Sequence, residues 1–141
     1  MGAQNSTFKR VMIVDDTKID RYLAAYVMQK NNFAVEIIEY DMAAKALDFF
    51  QTNKDNPEVF PEIIILDIRM PQMDGFEFLE RISLLPEFIN NSCCIVMLSS
   101  SLSPADHDRA NNNPIVKKFI NKPLDKDNLK EIKELYQNSR S

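Results

Sequence analysis

Glycine is scarce in this chain: of 141 residues, only Gly2 and Gly75 are glycine. A nucleotide-binding α/β module needs a Gly-rich first turn to bring backbone amides onto phosphates. The first strand here ends instead in Asp15-Asp16-Thr17-Lys18, the opposite in charge, and that class is set aside. Cysteine is equally scarce. Cys93 and Cys94 are adjacent, poorly placed to bridge each other and too few for a metal cage. They read as buried structural thiols at the start of an apolar run. Tryptophan is absent, and the one histidine, His107, lies in a polar helical stretch away from the acids and reads as an ordinary exposed residue. No apolar run reaches membrane-spanning length, and Met1 to Arg10 is too polar for a signal peptide, so a cytoplasmic location without membrane insertion is expected. A basic excess is also missing, and the net charge of −4 argues against nucleic acid as a partner. Met1-Gly2-Ala3-Gln4-Asn5-Ser6 fits the loose N-myristoylation pattern. That pattern is short and degenerate, and a glycine after the initiator also arises as a cloning scar, so lipidation is not expected.

What is present is organised around Leu66-Asp67-Ile68-Arg69-Met70-Pro71-Gln72-Met73-Asp74-Gly75. Before it runs Glu62-Ile63-Ile64-Ile65, apolar and β-branched, which reads as a strand buried on both faces of a parallel sheet. A carboxylate at the end of such a strand belongs at its mouth, where open α/β sheets bind their ligands. Met70-Pro71 and Asp74-Gly75 then turn the chain away.

The remaining segments alternate in the same way. Val11-Met12-Ile13-Val14 is a short buried strand ending in Asp15-Asp16, and Asp16 or Thr17 can cap the helix that follows. In that helix Ile19, Leu23, Tyr26 and Val27 recur at helical spacing and are expected to face inward. Asn31-Asn32 ends it. Val35 to Tyr40 is a more charged strand, suited to an edge. Asp41 is expected to cap a second helix with Ala43, Ala46, Leu47 and Phe50 inward. Thr52 to Pro61 is a long polar loop with no evident role. Asp74 starts a third helix with Phe76, Leu79 and Ile82 inward, and Pro86 and Asn90-Asn91 break the pattern. Cys94 to Leu98 is a fourth strand, ending in Ser99-Ser100-Ser101. Ser103-Pro104 reads as the start of a short fourth helix. Phe119-Ile120-Asn121 is a fifth strand followed by Lys122-Pro123. Asp125 caps a last helix with Leu129, Ile132, Leu135 and Tyr136 inward. Five β-α units imply a flavodoxin-like, doubly wound, five-stranded parallel sheet of order 2-1-3-4-5 with five helices. The domain is placed at 9–137, after an extension 1–8 and before a tail 138–141.

That topology gathers Asp15, Asp16, Asp67, Ser99 and Lys122 at one edge of the sheet. Three crowded carboxylates repel one another and favour protonation. A hard divalent cation removes that cost, and Mg²⁺ commonly bridges carboxylates to phosphate. A hydroxyl and an ammonium on the other side supply donors for phosphate oxygens. The set reads as a Mg²⁺ and phosphoryl site built around one carboxylate.

These positions, together with the Met70-Pro71-Gln72-Met73-Asp74-Gly75 tail and Lys122-Pro123, resemble the receiver domain of two-component response regulators. The resemblance covers the chain from about Lys9 to Gln137. It implies that Asp67 is the phosphoacceptor, loaded by a sensor histidine kinase or a histidine phosphotransfer protein. It implies that Asp15, Asp16, Asp67 and the backbone carbonyl of Arg69 hold Mg²⁺, and that Ser99 and Lys122 bind the phosphoryl group. Phe119 would turn inward when Ser99 moves, Arg69 and Ser101 would tune the phosphoryl lifetime, and the Lys122-Pro123 bond would be cis. The changed surface would be helix 4, strand 5 and helix 5, where Lys117 and Lys118 suit an acidic patch on a downstream protein target. With no output segment after Tyr136, a stand-alone, chemotaxis-type single-domain regulator is expected.

The turn before strand 5 departs from the family. Many members carry Gly and Ala there, whereas this chain has Asn111-Asn112-Asn113-Pro114, where asparagine's tolerance of positive φ is expected to serve. An aspartyl-phosphate hydrolase would also use Asp and Mg²⁺, but usually with a second catalytic Asp two residues on, where this chain has Arg69. A phosphorylation-independent receiver-like binding module is the other alternative, and the intact acceptor set speaks against it.

Overall fold

The computed structural model describes residues 7–85 and 93–140. The Met1–Ser6 pattern and the breaks at Pro86 and Asn90-Asn91 lie outside them. Five parallel strands, β1 (Phe8–Val14), β2 (Ala34–Tyr40), β3 (Ile63–Leu66), β4 (Cys94–Ser99) and β5 (Val116–Asn121), form one sheet of order β2-β1-β3-β4-β5. Among the described residues five α-helices alternate with them: α1 (Lys18–Lys30), α2 (Ala43–Thr52), α3 (Gly75–Ile82), α4 (Pro104–Asn111) and α5 (Lys126–Arg140). The fold and strand order are those expected from the sequence. None of these helices is long and apolar enough to cross a membrane.

Side-chain alternation divides the core into two layers. Met12, Val14, Ile64, Leu66, Ile95 and Met97 face α2 and α3 on one side of the sheet. Val11, Ile13, Ile63, Ile65, Val96 and Leu98 face α1 and α5 on the other. All four residues of β3 are buried, because the strand is covered on both faces and has a neighbour on each edge. The pairing places Val14 opposite Leu66 and Leu66 opposite Met97. Backbone bonds then run one residue beyond the strands: Asp15 N–H donates to Tyr40 O (3.1 Å), Asp67 N–H to Val14 O (2.9 Å) and Lys122 N–H to Ser99 O (3.0 Å). Rigid register at these ends is what brings the polar residues to one level.

The inward faces expected for α2 and α3 are buried as read, as are Leu129 and Ile132 of α5. Helix α1 differs. Ala24, Ala25 and Met28 face the sheet, whereas Ile19, Tyr22, Leu23 and Tyr26 are 45% to 61% exposed, and only Val27 of the expected set packs on the core. Two stripes on this helix recur at helical spacing, and periodicity alone does not say which one packs. The sheet face already holds Phe8, Phe33 and Ile13, so small alanines let the helix approach.

Two further expectations are corrected. Asp41 does not cap α2; Met42 occupies the cap position without a side-chain bond, and Asp41 pairs with Lys45 at 2.9 Å. The Asn111–Pro114 turn forms without left-handed backbone, since among the described non-glycine residues positive φ occurs only at Asn32 (52°) and Gln72 (72°). Asn113 instead accepts the Ile115 N–H on its side-chain oxygen at 3.1 Å, an Asx-type closure. The loop from Thr52 to Pro61 contains a 3-10 turn at Pro57–Val59 and drives Phe60 into the core, its ring 5.0 Å from that of Phe50.

Gly75 is required by space rather than by φ. A Cβ there would strike the carbonyl oxygen of Asp67 and lie 3.0 Å from Met97 Cε. The Gly75 N–H also donates to Ile68 O at 2.8 Å, tying the start of α3 to the strand end. Gly75→Ala is therefore expected to destabilise the fold by about 2 kcal/mol, read as a melting temperature lower by several degrees in thermal denaturation.

Candidate functional site

Asp15, Asp67 and Ser99 are three of the four buried polar residues in the described chain, at 3%, 6% and 1% exposure. Each sits at or just beyond the end of a central strand, because the ladder that buries the strand also carries these residues to its rim. Asp16, the next residue along the chain, is exposed. Asp15, Asp16 and Asp67 bring one carboxylate oxygen each within 4.8 Å of one another. Three hard oxygen donors at a partly open mouth are a donor set that a divalent cation fits.

Lys122 is the counterweight. Its Nζ lies 2.8 Å from Asp15 Oδ2, 2.7 Å from Asp20 Oδ2 and 3.4 Å from Asp67 Oδ2. The Lys122-Pro123 peptide bond is cis, as the sequence resemblance implies. Burial alone would lower the ammonium's pKa. Hydrogen bonds that the ammonium donates to Asp15 and Asp20, with the charges of Asp67 and Asp15, outweigh it, and the net shift is upward. Lys122 is thus a fixed cation. The Asp67 pKa is raised as well, from 3.8 to about 6, which disfavours its charged form, first through burial and then through the charge of Asp15, partly offset by Lys122 and by the Ile68 N–H on its Oδ1 (2.8 Å).

Backbone contacts hold the rest of the rim. Asp15 Oδ1 accepts the Thr17 N–H at 2.9 Å, and the Arg21 guanidinium donates to Asp15 O at 2.8 Å while pairing with Glu39 at 3.3 Å. The β1–α1 turn is thereby fixed, although neither Asp16 nor Thr17 makes the expected side-chain cap. Ser99 Oγ accepts the Ser101 N–H at 3.1 Å. Phe119 pairs with Met97 in the β4–β5 register, is half-buried, and has its ring 4.1 Å from that of His107.

The structure therefore brings Asp15, Asp16, Asp67 and Lys122 together and places Ser99 on the neighbouring strand end. It sets Arg69 and Ser101 apart from this group: both contact Asp106, at 2.7 Å each. Two residues escaped the sequence reading, and a third was read differently. Asp20 lies one helical turn after Asp16, a spacing that could have flagged it. Asp106 ends a Ser-x-x-Asp pattern that reads as a helix cap. Its amide is indeed capped by Ser103 Oγ (3.4 Å), but its carboxylate turns to Arg69 and Ser101. His107 is not the exposed residue expected. It is half-buried, with Nε2 3.2 Å from Ser101 O and its ring against Phe119, contacts that only the fold creates.

Comparison with known proteins agrees with this geometry. A family profile described as response regulator receiver domain matches residues 11–134. A two-component response regulator, ORR1 of Oryza sativa subsp. indica, is 27% identical over 127 residues, covering 89% of this chain and 54% of that protein. This chain thus spans about half the length of that relative. A two-component response regulator from Cytophaga hutchinsonii superposes with a TM-score of 0.85 at 24% identity, covering 93% of this chain and 98% of that one. The receiver domain of the histidine kinase CKI1 from Arabidopsis thaliana, solved with Mg²⁺ and BeF3⁻, superposes with a TM-score of 0.73 at 24% identity, covering 94% and 89%.

The elevated Asp67 pKa sets a pH dependence in metal-free protein. Between about 4 and about 6 the unfolded chain has already lost the Asp67 proton while the folded chain retains it. The fold binds more protons in that window, so this residue's contribution to stability falls as pH rises through it. Asp67→Asn in excess chelator should melt above the parent protein at pH 7, and the gap should close as pH falls toward 4. Equal melting temperatures at both pH values would refute the burial and repulsion assigned to Asp67.

Proposed function

As a member of the response regulator receiver domain family, this chain is a phosphoacceptor of two-component signalling rather than an enzyme of the ordinary kind, and we propose that Asp67 is the residue that takes the phosphoryl group. The donor is a phosphohistidine on a sensor histidine kinase or a histidine phosphotransfer protein. An Asp67 oxygen forms the new O–P bond as the N–P bond of the phosphohistidine breaks, and the electron pair returns to the imidazole. The observation that carries this reading is the clustering of Asp15 and Asp16 with Asp67 within 4.8 Å, facing the Lys122 ammonium.

The site suits Mg²⁺, held by Asp15, Asp16, Asp67 and the Arg69 carbonyl. When bound it would neutralise charge on the transferring group. Lys122, anchored by Asp20 at 2.7 Å, stands 3.4 Å from Asp67 and would bond the phosphoryl oxygens after transfer. Ser99 supplies a hydroxyl donor from the next strand. Arg69 and Ser101, two residues beyond Asp67 and Ser99, flank the approach of hydrolytic water and tune the phosphoryl lifetime. Phe119 reports the Ser99 movement to the α4–β5–α5 face, where a downstream protein binds. Lys117 is exposed there, and Lys118 is 3.6 Å from Glu131 on α5.

Acetyl phosphate with Mg²⁺ should label the parent chain, detected by intact mass. Labelling that persists in Asp67→Asn, or in excess chelator, would overturn the assignment.

The partner must reach Asp67 across the rim, and the surface beside that rim is apolar. Leu23 lines a cleft with Asp20, Lys122, Pro123 and Leu124, and Ile19, Tyr22 and Tyr26 continue the exposed face along α1. An unpaired apolar helix face of this kind suits the helices of a histidine donor. Leu23→Asp with Tyr26→Asp should slow transfer from a phosphorylated kinase about tenfold and leave acetyl phosphate labelling unchanged. Equal slowing with both donors would show that the pair acts on the site and not on docking.

A further inference from the structure

The contact of Arg69 with Asp106 links two segments that the phosphoacceptor chemistry treats differently. Arg69 leaves the β3 end two residues after Asp67, a segment tied down by the Gly75 N–H to Ile68 O bond at 2.8 Å. Asp106 lies in the first turn of α4, beyond the Ser99–Ser101 loop that carries the hydroxyl proposed to bond a phosphoryl group. The Arg69 guanidinium reaches Asp106 Oδ2 at 2.7 Å, and the Ser101 hydroxyl donates to the same oxygen at 2.7 Å. Asp106 is 7% exposed, whereas the Arg69 side chain is 66% exposed. Among the described residues Arg69 is the one cation in ion-pair distance of Asp106.

We propose that Arg69 is a phosphoryl-binding arm that exchanges partners, held by Asp106 before phosphorylation and by the phosphoryl oxygens on Asp67 afterwards, so that α4 is released. This inference rests on Asp67 being the acceptor. The exchange follows from charge. A phosphoryl group carries nearly twice the charge of a carboxylate and three strong acceptor oxygens. Arg69 is two residues from it on a long, solvent-exposed stem with little packing to hold it back. A planar guanidinium prefers such a bidentate, doubly charged partner.

The consequence falls on Asp106. A carboxylate this deeply buried, deprived of its cation and left with a serine hydroxyl, is strongly unfavourable. The cheapest relief is for the first turn of α4 to open toward water. Ser101 moves with it, because its hydroxyl is bound to Asp106, its N–H to Ser99 Oγ (3.1 Å) and its carbonyl to His107 Nε2 and Asn121 Nδ2 (3.2 Å each). His107 follows Asp106 in α4 and lies against Phe119 at 4.1 Å. Release of Asp106 therefore frees the Ser99 hydroxyl on one side and uncovers Phe119 on the other. The ion pair is the differential contact that a two-state switch requires: present in one state, replaced in the other.

The test uses the full chain with Mg²⁺ and beryllofluoride as the phosphoryl mimic. Affinity is measured by calorimetry, and α4 is followed by amide hydrogen exchange over residues 106–111. In the parent, beryllofluoride should accelerate α4 exchange about tenfold. Arg69→Gln should bind the mimic about fivefold more weakly and lose the acceleration, with Arg69→Lys restoring part of both. Asp106→Asn leaves Arg69 unpaired beforehand, so it should bind about fivefold more tightly and its α4 exchange should no longer respond. Arg69→Gln with parent-like affinity and parent-like acceleration would overturn the arm while leaving Asp67 in place. A parent chain that takes up no beryllofluoride would overturn the acceptor reading and the arm together.

Discussion

One ammonium, Lys122, holds the rim of this sheet together. Asp15 and Asp67 are nearly excluded from water and lie close enough to repel each other, yet the pairing of β1 with β3 leaves them no room to separate. Lys122 binds Asp15 and Asp20 at 2.8 and 2.7 Å and stands 3.4 Å from Asp67, so Asp67 is the least compensated of the three. Burial first, and the charge of Asp15 second, raise its pKa to about 6 against the partial offset from Lys122. A carboxylate left short of positive charge is the one best placed to accept a cation. Asp20 matters here because it is a second anchor for Lys122 at the rim, beside Asp15.

Rigidity elsewhere makes this arrangement durable. The sheet is packed on both faces, its central strands have no free edge, and its ladder continues one residue past three strand ends. Gly75 brings α3 against the backbone of Asp67, fixing that residue from behind. The β4–α4 side is built differently. It is held by side-chain bonds meeting at Ser101 and Asp106 rather than by ladder bonds. Side-chain bonds of this kind can be exchanged one at a time, whereas a buried ladder cannot. The molecule thus sets a strand end fixed by ladder bonds beside a loop held by exchangeable side-chain bonds.

Helix α1 contributes through what it leaves uncovered. Its alanines sit on the sheet, and its large apolar side chains remain outside, next to the cleft at Lys122. The covered stripe packs on the core and the open one faces solvent, and the two occupy opposite faces of the same helix.

The sequence by itself determined the five β-α units, their parallel order, the edge position of β2 and the gathering of Asp15, Asp16, Asp67, Ser99 and Lys122. These follow from apolar runs that end in polar residues, a signal local to each segment. The inward residues of α2 and α3 were legible for the same reason, since each helix has one apolar stripe. Tertiary structure alone decided the rotation of α1, where two stripes compete and the space above the sheet selects the smaller. It alone decided that Asp20, 102 residues from Lys122 in the chain, is that lysine's nearest acid. It alone joined Arg69 to Asp106, 37 residues apart, and laid His107 on Phe119. Such pairings leave no periodic trace, because a charged or aromatic side chain reads as solvent-facing or core until the fold supplies its partner.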